Sequence, residues 1–410
     1  MAQRDRITKM RILILTQYYY PETFPSTSIA EGLARLGHEV DVLTGKPNYG
    51  FAVAPKEYDH INHEVHNGVN IYRVKHHKRK NGVLSLIWNY LSFSKASQRR
   101  LRRIKKKYDV VYGFNFSPIV SLEGAGDFAK KQGIPYLIHV FDLWPESVLV
   151  TGAMSEKSVF YKSLLRVSKN IYSEADAFLL SSPGFASYLK GTIGTNKKCI
   201  TCYQSVDEGE PSDLSSPFGE GEKAIVYCGN LGRMQELDKY IEAISLLPSD
   251  LKCTLHIIGD GGKRKELEEE ARKLNLDGKV FFHSHLAFEE AARYRRNSFL
   301  NIVTLKSTES IVSETVPSKL LVALSDARPI IATISGDGAK MLRDSGGSFL
   351  PASTPNDIAK TILQANSLSK DELNEMGTKN RKYYEENLSS KKVLGVIESA
   401  LLELIESAKK

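Results

Sequence analysis

Two short apolar runs constrain the fold more than any other feature of the chain. Arg11-Ile-Leu-Ile-Leu-Thr16 opens the first half, and Lys223-Ala-Ile-Val-Tyr-Cys-Gly-Asn230 opens the second. Each ends in small or polar residues and leads into a stretch with helical periodicity, which is how a nucleotide-binding α/β unit begins. Two such units in series predict a cleft between them, and a cleft suits a reaction that joins two substrates.

A length of 410 residues predicts two or three domains. Apolar residues make up 41% of the chain, enough for real cores, so global disorder is excluded. No run approaches the roughly 18 uninterrupted apolar residues of a spanning helix. Met1 to Lys9 is polar and charged, without the apolar core of a secretory signal. The expected location is therefore the cytoplasm, with Met10 as an alternative start. Cys199 and Cys202 form a single Cys-x-x-Cys, while Cys228 and Cys253 stand apart. A zinc site would need a second pair with matching spacing, so buried reduced thiols and no metal are expected.

In the first half, strand-like runs at 11–16, 38–43, 69–74, 108–112, 135–140 and 176–180 alternate with helical patterns such as Ser26 to Leu36 and Ile119 to Lys131. That rhythm predicts a parallel sheet with helices on both faces, and Gly37 is expected to cap a helix before the next strand. The turn-rich, acidic stretch 204–222 interrupts the pattern and reads as a linker. Strands resume near 223–228, 252–258, 279–283, 299–304, 329–333 and 348–350, and a last helical pattern runs from Ser389 to Ser407. The organisation expected is an N-terminal domain over 10–203, a C-terminal domain over 223–388 and a terminal helix over 389–410.

Several turns at predicted strand ends carry chemistry. Gly229, Asn230, Gly232 and Arg233 lie between a strand and a helix, where glycine permits close backbone approach to a phosphate and Arg233 adds charge-assisted bonds. Pro317, Ser318 and Lys319 read as a helix start, with Pro317 at its first position, orphan amides at Ser318 and Lys319, and Lys319 reinforcing an anion site. Glu314, just before them, is a candidate acceptor for sugar hydroxyls. Gly259 and Asp260 close another strand and either flank a nucleoside or simply form a turn. In the first half, His139, Asp142, Trp144 and Glu146 crowd the end of a strand, the edge at which open α/β sheets bind ligands. His139 is expected to donate to a sugar hydroxyl, and Asp142 and Glu146 to orient an acceptor or take a proton. Tyr18-Tyr-Tyr-Pro21-Glu22 and Thr44-Gly-Lys-Pro-Asn-Tyr-Gly50 add aromatic loops on the same edge, either to face sugar rings or to pack on a neighbouring domain.

The net charge of +8 is local. Twelve Lys or Arg and no acidic residue fall between Lys75 and Lys107. They bracket Val83-Leu-Ser-Leu-Ile-Trp-Asn-Tyr-Leu-Ser-Phe93, too short to span a bilayer but suited to lie on an anionic leaflet. Nucleic acid would use the same charges, but the clusters flank an apolar segment rather than a stacking platform, so no nucleic-acid partner is expected. A buried helix beside a solvated basic one is the plainer alternative.

Taken together, Gln17-Tyr-Tyr-Tyr-Pro-Glu22, Ser28 to Val40, Thr44 to Tyr49, Asp142-Leu-Trp-Pro-Glu146, Gly229-Asn-Leu-Gly232 and Val316-Pro-Ser-Lys-Leu320 resemble, in order and from about Met10 onward, a family 4 glycosyltransferase. The resemblance is strongest to bacterial transferases of surface polysaccharides (O-antigen or capsule), including N-acetyl-L-fucosamine and colanic-acid fucosyl transferases. It implies an α/β chain of GT-B architecture, two Rossmann-like domains with parallel sheets facing an interdomain cleft. It further implies a nucleotide-sugar donor in the second domain, an acceptor in the first, retention of anomeric configuration, no metal or other cofactor, and a C-terminal helix that returns to the first domain. By the family pattern His139 sits near the transferred sugar and Gly229 to Arg233 face the phosphates. Three positions depart from that pattern. Asn230 and Gln235 stand where an Arg and a Lys grip the diphosphate, Val322 replaces the second of two glutamates, and Glu236 replaces a usual glycine.

The reading favoured by these residues is a retaining glycosyltransferase on the inner face of the cell membrane. Its expected donor is a UDP-sugar such as UDP-N-acetyl-L-fucosamine, with a GDP-sugar second, and its expected acceptor a polyprenyl-diphosphate-linked saccharide. A nucleotide-sugar epimerase or hydrolase of the same fold, and a non-catalytic nucleic-acid binder, are the alternatives.

Overall fold

The structure is a computed structural model that describes residues 9–49, 55–80, 82–150, 154–204, 206, 213, 215–307 and 314–410. Residues 205, 207–212 and 214 of the predicted linker lie outside the described residues, as does Gly50. The chain forms two compact units, the first comprising Met1–Ser205 with Val393–Lys410 and the second Val206–Lys392.

The first unit is built on eight strands: β1 (Arg11–Leu15), β2 (Glu39–Gly45), β3 (His63–His66), β4 (Val69–Val74), β5 (Val110–Asn115), β6 (Tyr136–Val140), β7 (Ala177–Leu180) and β8 (Lys198–Thr201). Their order across the sheet is β3-β4-β2-β1-β5-β6-β7-β8. β5, β6 and β7 are buried along their whole length, as expected of parallel strands covered on both faces. In register, Ile14 of β1 sits between Val42 of β2 and Tyr112 of β5. The sheet reverses direction of growth between β1 and β5, and a ligand crevice forms at such a point, beyond the carboxyl ends of the strands.

Two local features depart from the sequence expectation. β3 is an antiparallel edge strand paired with β4 across an Asn67-Gly68 turn. Both turn residues have positive φ, 46° and 82°, which Asn-Gly adopts readily in tight hairpins. The helix expected over Ile119 to Lys131 is broken into a short 3₁₀ turn, Ile119–Leu122, and a helix, Ala125–Gln132. Gly124 between them is left-handed at φ 85°, which ends one turn and starts the next. Gly37, by contrast, follows the Pro25–Arg35 helix with φ 98°, as a capping glycine should.

The C-terminal helix, Ser390–Ala408, brings the chain back to the first unit. Val393, Ile397, Leu401 and Ile405 join the core formed by Ile12, Ile14, Leu33 and Val42. Gly32 makes room for this contact, since a Cβ there would lie 2.5 Å from Leu394 Cδ1. His38 Nε2 and Glu398 Oε1, 2.9 Å apart, add a polar tie.

The second unit has six strands: β9 (Lys223–Cys228), β10 (Cys253–Ile258), β11 (Val280–His283), β12 (Leu300–Thr304), β13 (Ile330–Thr333) and β14 (Ser348–Phe349). All pair in parallel, in the order β11-β10-β9-β12-β13-β14. The switch point falls between β9 and β12. Its core sets Ile225, Leu255, Ile257 and Ile302 against Leu237, Tyr240, Ile241 and Ile244 of the Leu237–Ser245 helix. Phe218 packs beside Ala224, Val226 and Ile258, so that end of the turn-rich stretch is already part of the second unit.

Candidate functional site

Each unit presents a constellation at the carboxyl edge of its own sheet, next to the switch point. In the first unit it is a cavity of about 430 Å³, within the range of roughly 300–1,000 Å³ usual for small-molecule pockets. Tyr18 and Phe24 come from the loop after β1, Tyr49 from the loop after β2, Phe116 from just beyond β5, and Phe141 with Asp142 from just beyond β6. The rings form one box. Tyr18 stacks on Phe24 at 4.8 Å, Tyr49 lies 5.2 Å from both, and Phe116 lies 5.1 Å from Phe24 and 4.7 Å from Phe141. A pocket of aromatic faces with a few polar groups suits the apolar faces and hydroxyl rim of a sugar ring.

Glu22 ties two of these loops together. Its Oε1 accepts from the Asn48 amide at 2.7 Å and the Tyr49 amide at 2.6 Å. Burial pushes its carboxyl up to about 7, although those amides favour the ionised form. Asp142 is the carboxylate in the cavity. The Asn115 side chain donates to its backbone carbonyl at 3.0 Å and fixes the turn. Burial raises its carboxyl to about 6 against the opposing pull of the Ser147 hydroxyl, the Leu143 amide and the Ser117 hydroxyl. It is therefore largely ionised at neutral pH and able to accept from a hydroxyl in the pocket.

His139 does not share this role, which corrects the sequence expectation. It points into the core with no exposed surface. Nδ1 lies 2.8 Å from the Tyr112 hydroxyl and Nε2 3.0 Å from the Cys202 carbonyl, so both ring nitrogens are engaged. Burial drops its pKa to about 3, and the neutral ring donates from Nε2 to the carbonyl and accepts at Nδ1. Alternation along β6 explains the miss, since Ile138 and Val140 are also wholly buried and both faces of the strand are covered. Glu146 is likewise engaged within the fold, accepting from the Tyr161 hydroxyl at 2.6 Å.

In the second unit the glycine turns meet each other before they can meet a ligand. Gly229, Gly259 and Gly261 have φ of 145°, 137° and 156°. A Cβ on Gly259 would strike the Gly229 carbonyl, and one on Gly261 would lie 2.5 Å from the Leu231 carbonyl. The Leu231 amide donates to the Asp260 carbonyl at 2.8 Å. Asp260 Oδ1 accepts from its neighbour's amide at 2.7 Å and shapes the turn. The glycines thus let the loops after β9 and β10 close against one another, where the sequence reading gave Gly229 close approach to a phosphate and Gly259 either the flank of a nucleoside or a simple turn.

Lys319 lies directly over this junction. A Cβ on Gly229 would collide with its Cε and Nζ. Its ammonium bonds the Tyr227 hydroxyl and sits 4.7 Å from the centre of that ring. Tyr227 in turn donates to the Asn230 carbonyl at 2.7 Å. Burial lowers Lys319 to about 8, with only a modest opposing pull from Cys228. Among the described residues it makes no ion pair. The helix that carries it, Ser318–Ser325, has Pro317 as its N-cap rather than at the first helical position, so Ser318 and Lys319 supply the opening amides. A half-buried cation, two such amides and the partly positive end of a helix converge here, an arrangement that favours an anion.

Arg233 is exposed and starts the 3₁₀ turn Arg233–Gln235. Glu314 is half-buried in the irregular segment before Pro317, and Val322 is half-buried within the helix. The departures from the family pattern have local reasons. Gln235 Oε1 accepts from the Gly232 amide at 3.0 Å, so it holds the loop, while Asn230 is exposed. Glu236 occupies left-handed backbone at φ 42°, a conformation glycine adopts without cost, and is held there by Lys239 at 2.8 Å and Ser353 at 3.0 Å. Thr304, at the end of β12, donates to the Gln235 carbonyl at 2.8 Å and joins both sides of the switch point.

The apolar core of the basic stretch lies within one helix, Val83–Leu101. Phe93 and Asn89 are buried on its inner side, whereas Leu84, Trp88 and Leu91, one face at helical spacing, are 75%, 60% and 41% exposed. Lys95, Arg99 and Arg102 continue the outer stripe and are exposed as well. Among the described residues, two of the twelve cations form ion pairs, Lys78 with Asp59 at 2.9 Å and Lys106 with Glu39 and Asp41 at 2.7 Å. Residues that the sequence did not single out include Tyr227 under Lys319, and Arg79, Phe116 and Phe141 in the first pocket. Phe116 and Phe141 follow β5 and β6 directly, which was the available signal.

Residues 26–199 match the family described as Glycosyl transferase 4-like domain, and residues 212–383 match Glycosyl transferases group 1. The chain is 24% identical to the probable glycosyltransferase WbjE of Pseudomonas aeruginosa over 273 residues, 63% of this chain and 65% of that protein. The match thus spans just under two thirds of that relative's length. WcaI of Escherichia coli (strain K12), named for glycosyl transfer in colanic acid biosynthesis, is 24% identical over 67% of this chain and 71% of its own. Among solved structures, Anabaena Alr3699/HepE in complex with UDP and glucose superposes with a TM-score of 0.69 at 16% identity, covering 96% of this chain and all of the other. That likeness shows the GT-B fold.

Proposed function

Since the chain belongs to the group 1 glycosyl transferases with a 4-like N-terminal domain, we propose that it moves a sugar from a nucleoside diphosphate to a saccharide acceptor in surface-polysaccharide assembly. UDP is the proposed nucleotide and N-acetyl-L-fucosamine the proposed sugar. The acceptor is a saccharide on a polyprenyl diphosphate, met at the inner membrane face. The observation that carries this reading is Lys319, a half-buried cation without an ion pair among the described residues, at a helix start beside the β9–β12 switch point. The UDP complex of Alr3699/HepE and the colanic-acid name of WcaI lend support to the nucleotide and to the pathway class.

In this reading Lys319, the amides of Ser318 and Lys319, and Arg233 stabilise the negative charge that grows on the departing diphosphate. The bond from the anomeric carbon to the phosphate oxygen breaks, and a bond to the acceptor oxygen forms on the same face. The acceptor's proton passes to the departing phosphate. Asp142 orients the acceptor hydroxyl, and the aromatic box of the first unit holds the acceptor ring. The Leu84-Trp88-Leu91 face and the exposed cations rest on the anionic membrane. The test is calorimetric titration of UDP and GDP, each with and without attached sugars, followed by turnover with a lipid-linked acceptor. Binding of either nucleoside diphosphate that is lost in Lys319→Met supports the reading. Absence of binding by both overturns it, and fast release of free sugar without acceptor assigns a hydrolase.

A further inference from the structure

The loop Lys75 to Lys80 is held in place beside the aromatic pocket. Asn89, buried on the Val83–Leu101 helix, donates to the His77 carbonyl at 2.6 Å and to Asn48 Oδ1 at 3.1 Å, while Gln17 donates to Asn89 Oδ1 at 2.8 Å. The Arg79 amide donates to Asn48 Oδ1 at 3.2 Å, and the Asn48 side chain lies 2.9 Å from His76 Nε2. Burial drops His76 to about 4, so it serves the network as a neutral ring. An amide network of this kind fixes a loop, whereas a merely solubilising run of lysines needs none.

The fixed loop has two sides. Arg79 reaches into the aromatic pocket, with its guanidinium 4.8 Å above the Tyr49 ring. Lys75, Lys78 and Lys80 line a separate open concavity on the loop. Lys75 and Lys80 are exposed and make no ion pair among the described residues. Directly after the loop comes the helix whose first turns expose Leu84 and Trp88. Along one surface of the first unit the chain thus offers an aromatic sugar-sized pocket, then cations, then an apolar patch.

We propose that Lys75, Arg79 and Lys80 form a second phosphate-reading site, distinct from the one at Lys319, which binds the diphosphate of the lipid-linked acceptor. It deepens the acceptor reading above and rests on it. The saccharide enters the box of Tyr18, Tyr49 and Phe141, and the lipid runs along Leu84, Trp88 and Leu91. The ligand's own order of sugar, diphosphate and hydrocarbon matches the order of the surface. A guanidinium over the Tyr49 ring, on a loop whose backbone is held, suits a phosphate better than a diffuse charge would, because its forked donors meet two oxygens together.

The probe is farnesyl diphosphate in micelles of a neutral detergent, read through Trp88 emission. The chain has two tryptophans, and Trp144 is buried, so Trp88→Phe identifies the signal. Saturable binding is expected, weakened about tenfold for farnesyl monophosphate and for the Lys75→Gln/Arg79→Gln/Lys80→Gln variant, and undisturbed by saturating UDP. Lys75→Gln and Lys80→Gln alone, at exposed positions, keep the test intact if the triple variant misfolds. Equal responses to farnesyl diphosphate and farnesol, no effect of the variants, displacement by UDP, or equal competition by phosphatidylglycerol vesicles would each overturn the proposal. If UDP binding survives while farnesyl diphosphate fails, only the acceptor site falls and the donor reading stands.

Discussion

Lys319 offers the sharpest quantitative test, because its free-state ionisation is set by burial. The drop from 10.5 to about 8 corresponds to about 3 kcal/mol against the charged form, at about 1.4 kcal/mol per unit. The folded pKa lies below the unfolded one, so the unfolded chain binds more protons between pH 8 and 10.5. The lysine therefore costs stability below pH 8, and that cost is relieved as pH rises through this window. A bound diphosphate reverses the balance by supplying the missing counter-charge and holding the ammonium protonated. Its terminal phosphate, with a second pKa of about 6, is already ionised at neutral pH. Affinity for UDP should then track the protonated fraction of free Lys319 and fall about tenfold from pH 7 to pH 9. At pH 8 each UDP should take up roughly half a proton, measurable by calorimetry in buffers of different ionisation enthalpy. Lys319→Met should abolish the uptake, flatten the profile and weaken binding at pH 7 by about 10- to 100-fold, the worth of a charged hydrogen bond. A wild-type affinity that stays level over this range, with no proton taken up, would refute the placement of Lys319 against the diphosphate.

Three other outcomes follow from the first unit. His139→Leu removes the partners of the Tyr112 hydroxyl and the Cys202 carbonyl, and should cost about 2–4 kcal/mol by denaturant titration. Turnover per folded molecule should be kept, and a lost kcat in a stable variant would restore a direct role for the ring. Glu22→Gln keeps an oxygen for both loop amides but removes a buried charge. Because the folded pKa of Glu22 is raised to about 7, its contribution is full below about pH 4.5 and is lost as pH rises through 7. The variant should match wild type near pH 5 and exceed it by about 2–3 kcal/mol at pH 8, whereas a gap independent of pH would count against the shift. Leu84→Ser/Trp88→Ser should reduce co-sedimentation with anionic vesicles at least about tenfold, given roughly 25 cal/mol per Å² of apolar surface, and unchanged pelleting would remove the membrane-facing assignment.

Much of the scaffold was legible because parallel strands buried on both faces are written as apolar runs. The expected cores of β1, β5, β6, β9 and β10 all appear, and Gly37 ends its helix as anticipated. The β3–β4 hairpin was not anticipated, although Asn67-Gly68 is a strong local signal, because its strand reads as mixed and half exposed. The residues around Gly229 and Lys319 proposed for the anion site could also be picked out, since strand ends and helix starts carry their chemistry locally. What each of them does was less visible. Gly259 read as either the flank of a nucleoside or a turn, and it is a point of backbone contact with Gly229. Glu236 looked like an altered ligand loop and is a left-handed residue braced by Lys239 and Ser353.

The amino-acid order by itself determined the two α/β units, the positions of their loops and the charge imbalance of 75–107, because each depends on neighbours within a few residues. Only the tertiary structure decided which polar groups line a cavity and which are enclosed in the core. His139 and Asp142 are three residues apart on one strand end, yet one is enclosed between Tyr112 and Cys202 and the other lines a cavity. Lys319 owes its depressed basicity to burial, in a place where Tyr227 and Gly229, about ninety residues away in the chain, lie against it. Burial and partner geometry are set by contacts between distant segments, and no local pattern encodes them.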